Sequence, residues 1–269
     1  MGIIKLGLCQ MLVSEDKSLN ITNAIKHLNY CHDKGVDIAV LPEMFNCPYD
    51  ISKFSVYAET IGGGETVKAI SDAAKSLSMY IVAGSIPEAD NGKLYNTSLI
   101  FNNHGKIIAK HRKIHLFDIN IPGSIVFNES DVLSAGNSTT VVDTPFGKIG
   151  VAICFDIRFP DIYTQMCQQG AVCVFTPGAF NMTTGPVHWE LLVRARALDN
   201  MLFHAAVSPA RNNDSSYLAY GYSMVCDPWG KVLAECSDKE DILVVNINTD
   251  DIADYRNRLP VVGSRLKGG

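Results

Sequence analysis

With 269 residues, 47% of them apolar, the chain is long enough to bury roughly three quarters of its unfolded surface, and no stretch reaches the roughly 18 apolar residues of a membrane span. A formal charge of −5 supplies no broad cationic field for nucleic acid or an anionic bilayer. The opening "MGIIKLGLCQM" lacks the regions of a secretory signal, and Leu6 stands where a myristoylation motif wants Ser or Thr.

The first strand is expected in "IIKLGLCQM". Ile21, Ala24, Ile25, Leu28 and Cys31 follow at helical spacing, Gly35 ends that helix, and "VDIAVL" reads as a short buried strand. Helical "ETVKAISDAAKSLSM" leads into the strand "YIVAGSI". This strand–helix alternation implies a layered α/β fold. Two hairpins follow, "KLYNTSLIFNNHGKIIAKHRK" around Asn103-His104-Gly105 and "TTVVDTPFGKIGVAI" around Pro145-Phe146-Gly147. The helix "PDIYTQMCQQ", the strand "AVCVFT" and the long helix "VHWELLVRARALDNM" restore the alternation. Strands are then expected in "LFHAAVSPA", "YGYSMVCDPWG", "KVLAEC" and "DILVVNIN", and a helix in "DDIADYRNR". The rhythm has no break, linker or repeat, so residues 1–269 read as one domain. Its short strands are apolar on both faces, as in sheets covered on each side. The final diglycine of "RLKGG" reads as a plain terminus, and "IGGGE" at 61–65 as a turn, since it lacks the Lys-Ser/Thr ending of a phosphate loop.

The eight cysteines are scattered, with no C-x-x-C pair, so neither a zinc ribbon nor a thioredoxin-type motif is present. Free thiols in a reducing, cytoplasmic setting are expected. There, the six N-x-S/T sequons, Asn96 and Asn181 among them, carry no meaning. One thiol is unlike the others. Cys154 ends the apolar run of "VAICFDIRFPD" and precedes a helix opening near Pro160. It therefore sits on a strand-to-helix turn, where a nucleophile is exposed and a helix amino terminus favours thiolate. Two further strand ends carry chemistry: Glu43 in "AVLPEMFNCPYD" and Lys113 in "AKHRKIHLFD". Carboxyl ends of strands in α/β sheets are where ligands bind. His111 and His115 are spaced i, i+4, but on a strand end and loop rather than a helix, so no metal site is expected.

Together, "LPEMFNCPY", "HRKIHLFD" and "GVAICFDIRFPDIY" resemble the nitrilase, or carbon–nitrogen hydrolase, superfamily, in the family's order and across essentially the whole chain. The resemblance implies a four-layer αββα sandwich and a catalytic triad of Glu43, Lys113 and Cys154. It also implies an auxiliary Glu129 close to the lysine, and an oxyanion contact from the backbone N–H of Phe155, where the family more often has tyrosine. "FNESDVLSAG", "TPGAFNMTTGPVHWELLVRARALDN" and "SPARNN" are similar to the omega-amidase branch. That branch hydrolyses the terminal amide of short dicarboxylic monoamides, 2-oxoglutaramate and 2-oxosuccinamate, through a cysteine thioester and without a cofactor. Arg158, four residues past the nucleophile, is a candidate for the substrate carboxylate, with Thr183 and Thr184 as hydroxyl donors to the same end. Arg158 can equally serve as ion-pair partner to Asp156 or Asp161. Within the superfamily, amidases for deaminated glutathione, carbamoyl-amine hydrolases and true nitrilases stay open. Outside catalysis, so do a scaffold of the same fold and a redox thiol resolved by Cys167 or Cys173. A homodimer pairing through "IRFPDIY" is expected, with a small-molecule amide as the other partner and neither nucleic acid nor membrane.

Overall fold

The computed structural model describes residues 2–121 and 125–267; the terminal diglycine lies outside them. Strand β1 (Ile3–Gln10) shows how the layers arise. Side chains alternate across a strand, so Ile4, Leu6 and Leu8 face one way and Cys9 the other, and both sets are buried. The strand runs parallel to β2 (Ile38–Val40), and β2 parallel to β3 (Tyr80–Val82). Antiparallel partners complete this first sheet: β15 (Asp241–Asn248) beside β1, and β5 (Lys93–Phe101), which carries β4 (Ile86–Asp90) and β6 (Ile107–Arg112). The second sheet has the order β14 (Val232–Glu235), β13 (Met224–Cys226), β12 (Phe203–Val207), β11 (Cys173–Pro177), β10 (Gly147–Val151), β9 (Thr140–Thr144), with β10, β11 and β12 parallel.

Three apolar layers separate four layers of structure. Ile4, Leu6, Leu8, Ile38 and Val40 of the first sheet meet Val151, Phe175, Ala205 and Val207 of the second. Outside the first sheet, α1 (Lys17–Asp33) and α3 (Glu65–Ser76) bring Ala24, Leu28, Val67 and Ile70 against Cys9, Ala39 and Ile81. Outside the second, α4 (Pro160–Gln168) and α5 (Gly185–Asn200) bring Ile162, Tyr163, Trp189 and Val193 against Val174, Ala206 and Met224. This is the αββα sandwich. Each fully buried aliphatic side chain contributes about 1.5–3 kcal/mol relative to exposure. Gly7 is required where α1 crosses β1, since a Cβ there would lie 2.6 Å from the Cys31 sulfur.

Several details depart from the expectations. The run "YIVAGSI" is not one strand: it breaks after Val82 and resumes as β4 at Ile86. The break has a steric cause. Gly84 takes a φ of +45° with its Cα against the Pro42 carbonyl, where a Cβ would come within 2.0 Å. A short helix α2 (Ile51–Tyr57), the ribbon of β7 (Asp118–Ile121) and β8 (Ile125–Asn128), and α7 (Val261–Lys267), which follows α6 (Asp251–Arg258), were not foreseen. The "IGGGE" stretch is a turn, as expected, and leads into α3 at Glu65; the chain's own anion fills that helix end, where Glu59 accepts from the Thr66 N–H at 3.0 Å and pairs with Lys17 at 2.7 Å.

Candidate active site

Glu43 follows β2 in a loop fixed by the corner that splits β3 from β4. The Ser85 N–H donates to the Pro42 carbonyl at 3.2 Å, and the Met44 N–H donates to the Ser85 hydroxyl at 3.0 Å. Lys113 follows β6 and is tied by its own N–H to the Asn96 carbonyl at 2.9 Å. Glu129 stands in a single 3-10 turn, Glu129–Asp131, after β8. Cys154 opens another, Cys154–Arg158, after β10. Cys154 has a φ of +46°, a left-handed conformation that costs a non-glycine residue about 1–3 kcal/mol and persists only where the surroundings enforce it. Here the enforcement comes from Asp156. Its buried carboxylate accepts the Ile153 N–H at 3.1 Å, the His115 N–H at 2.8 Å, the His115 ring at 3.1 Å and His111 Nε2 at 3.2 Å. Burial alone would push the Asp156 carboxyl up, but the bonds from His111 and His115 hold it well below the ordinary carboxylate range. The two histidines are thus spent on Asp156, and His111 Nδ1 meets the Thr140 hydroxyl at 3.1 Å.

These loops bring Glu43, Lys113, Glu129 and Cys154 into one buried cluster. The Lys113 ammonium lies 3.1 Å from Glu43 and 2.8 Å from Glu129. Burial opposes its charge, but the two carboxylates outweigh burial and hold its pKa above the ordinary lysine value. Glu43 Oε1 also accepts from Asn96 Nδ2 at 2.8 Å, and Oε2 accepts from the Ala179 N–H at 2.7 Å. Burial raises the Glu43 carboxyl, Lys113 counteracts in part, and the Cys154 thiol hydrogen-bonds the same carboxyl. Burial and the neighbouring Glu43 push the thiol itself well above its usual value. A neutral thiol beside a carboxylate of raised basicity is therefore the resting arrangement, one in which proton transfer and attack can be coupled.

Three members of this cluster were not singled out from sequence. Tyr49 Oη donates to Glu129 at 2.7 Å and receives the Lys113 ammonium at 3.4 Å. Asn96 reads in the sequence only as a sequon. Ala179 contributes only its backbone. Tyr49 lies inside the quoted word "LPEMFNCPY", which was the one available signal.

A cavity adjoins the thiol, lined by Phe117, Cys154, Phe155, Arg158, Ala179, Phe180, Asn181, Thr184 and Tyr217. Arg158 stands over the Phe180 ring, 5.0 Å from its centroid, and donates to His188 Nδ1 at 3.3 Å. Neither Asp156 nor Asp161 pairs with it among the described residues. Of the two threonines, Thr184 is buried and lines the cavity, whereas Thr183 is exposed and does not. Neither Cys167 nor Cys173 lines it: Cys167 donates to the Asn200 carbonyl, and Cys173 faces the layer between the sheets.

Comparison with known proteins gives this geometry a family. Residues 5–257 match the carbon-nitrogen hydrolase family. The chain is 48% identical to Omega-amidase NIT2-A of Xenopus laevis, covering 99% of this chain and 96% of that protein. It is 46% identical to Omega-amidase NIT2 of Homo sapiens, covering 97% and 94%. The structure of Nit3 from Saccharomyces cerevisiae, a member of branch 10 of the nitrilase superfamily, superposes with a TM-score of 0.90 at 40% identity over 97% of this chain and 95% of that one. The chain belongs to the carbon-nitrogen hydrolase family, in the nitrilase superfamily, and is a hydrolase of carbon–nitrogen bonds.

Proposed function

We propose that this protein is an omega-amidase, hydrolysing the terminal amide of short dicarboxylic monoamides such as 2-oxoglutaramate and 2-oxosuccinamate to the acid and ammonia. The observation that carries the reading is a cavity with a nucleophilic corner, Cys154 against Glu43, and a guanidinium, Arg158, on the same wall. One end of such a substrate is a scissile amide and the other a carboxylate, which a planar guanidinium suits. The relatives that carry the name omega-amidase support the same reading.

In the mechanism we propose, Glu43 takes the Cys154 proton as sulfur attacks the amide carbon. The oxyanion is held by the Lys113 ammonium and the Phe155 N–H. The first N–H groups of a helical turn have no partner within it, and one such donor lowers the barrier by about 3–4 kcal/mol. Protonated Glu43 passes its proton to the nitrogen, ammonia departs and a thioester remains. Glu43 then deprotonates water for attack on the thioester, and the acid leaves. Glu129 and Tyr49 keep Lys113 oriented throughout. No step draws on a cofactor.

The substrate reading is tested by kcat/KM for 2-oxoglutaramate, deaminated glutathione, N-carbamoyl-β-alanine and a simple nitrile. The first is expected to exceed the rest by at least about tenfold, the discrimination a few well-placed contacts provide. A higher value for either of the middle two overturns it. We also propose that residues 1–269 act as one domain, in a cytoplasmic setting suited to the eight thiols, none of them in a disulfide. A homodimer is proposed as well, but through a different surface from "IRFPDIY". In that segment Ile157, Ile162 and Tyr163 are buried inside the subunit, whereas α5 exposes Val187, Leu191 and Leu198 along one outer face.

A further inference from the structure

Asn181 is 7% exposed, and its two amide atoms have opposite fates. Oδ1 accepts three hydrogen bonds: from the Thr183 N–H at 3.1 Å, the Thr184 N–H at 2.9 Å and the Thr184 hydroxyl at 3.1 Å. Exchanging O and N would set an NH2 group against two backbone N–H donors, so this network fixes the orientation of the amide. Nδ2 is left buried with no acceptor among the described residues. A buried donor without a partner costs about as much as a lost hydrogen bond, and one held in place by three bonds to its sister atom cannot turn away to find one. Asn181 lines the same cavity as Cys154 and Arg158. The amino end of α5, which begins after Thr184, borders that cavity and adds the positive end of a helix dipole.

We propose that Asn181 is a specificity-determining residue, whose Nδ2 donates to the oxygen-rich, non-scissile end of the substrate beside Arg158. The assignment rests on the omega-amidase reading and adds to it a neutral donor fixed in direction. It also gives Thr184 a different part from direct donation: its hydroxyl proton is committed to Asn181 Oδ1, so Thr184 is a positioning residue acting through Asn181. His188 plays the matching part for Arg158. Its Nδ1 faces the guanidinium, and burial and that cation together lower its pKa, so it accepts as a neutral ring and leaves the rest of the fork for the ligand.

Asn181→Asp separates the two atoms. It keeps an acceptor for the three bonds and replaces the donor with an anionic oxygen. The readout is the ratio of kcat/KM for 2-oxoglutaramate to that for butyramide, a neutral amide without the far carboxylate, together with the melting temperature. The ratio is expected to fall by about 10- to 150-fold or more, the worth of a hydrogen bond to a charged group. The loss falls mainly in KM for 2-oxoglutaramate. Asn181→Ser, whose hydroxyl can still accept from the following N–H groups, is expected to lower the same ratio and guards against misfolding of the aspartate variant. In the unaltered protein, the Asn181 side-chain N–H resonances are expected to shift when 2-oxoglutarate is added. An unchanged ratio in a folded variant, or resonances unmoved at saturating 2-oxoglutarate, overturns the assignment. A parent enzyme with no preference for 2-oxoglutaramate over butyramide instead overturns the omega-amidase reading on which it rests.

Discussion

Glu43 and Cys154 each have a direct test. Cys154→Ala removes the only thiol in the cavity and is expected to lower ammonia release by more than about 10³-fold, as loss of a nucleophile does elsewhere, while circular dichroism and melting temperature stay close to the parent. Activity within tenfold of the parent would place the nucleophile elsewhere. The pH profile tests Glu43. Its carboxyl is raised by burial, and the base works only when unprotonated, so kcat/KM falls as pH drops through this raised value. The acid limb is therefore expected above the roughly 4.3 of an ordinary glutamate; a limb at or below that value would show that Glu43 is not the base. The grouping of Glu43, Lys113 and Cys154 was legible in sequence because each stands near a strand end within a word that resembles the family's. Asn96 and Asn181 were not. Asn96 meets Glu43 across 53 residues, the Asn181 side chain bonds Thr183 and Thr184 of its own loop, and no local pattern separates a buried asparagine in a site from one in a loop.

Among secondary structures, those with a strong period were readable and those held by tertiary contacts were not. Buried Val67, Ile70, Ala73 and Ala74 mark α3 at i, i+3 and i+4. By contrast, α2 is seven residues long with Phe54 its one fully buried residue. The β7–β8 ribbon alternates too briefly in "DINI" and "IVFN". The break inside "YIVAGSI" depends on the Pro42 carbonyl, which no window around Gly84 contains. The turn that carries Cys154 depends in the same way on two histidines from another strand end. Asp156→Ala leaves His111, His115 and the Ile153 N–H without their acceptor, and is expected to destabilise the protein by roughly 3–5 kcal/mol, as when one partner of a buried charged network is removed. Urea denaturation measures this, and a loss below about 1 kcal/mol would show that the left-handed turn is held by other contacts. The linkage has a definite sign. The folded-state value of Asp156 is depressed, so its stabilisation is present above the ordinary aspartate range and lost only as pH falls through the lower folded value. Moderate acid is therefore expected to affect Glu43 before it loosens this turn.

For the molecule as a whole, the outer face of α5 is the clearest unspent surface, with Val187 62% and Leu191 65% exposed. Light scattering at micromolar concentration is expected to give twice the 29.3 kDa subunit mass, and Leu191→Asp to halve it; a monomeric parent, or a variant that stays dimeric, rules out pairing through this face. The site itself is assembled across the two halves of the sandwich. Glu43 hangs from the first sheet and Cys154 from the second, and the bond from the Ala179 N–H to Glu43 spans 136 residues. Neither half can make a partly active centre, and contacts so distant in sequence form late because a long loop must close first. On refolding from denaturant, far-ultraviolet circular dichroism should therefore return ahead of amidase activity. The interval between the two signals is a clock for the docking of one sheet on the other, which makes catalysis the most demanding reporter of that final step.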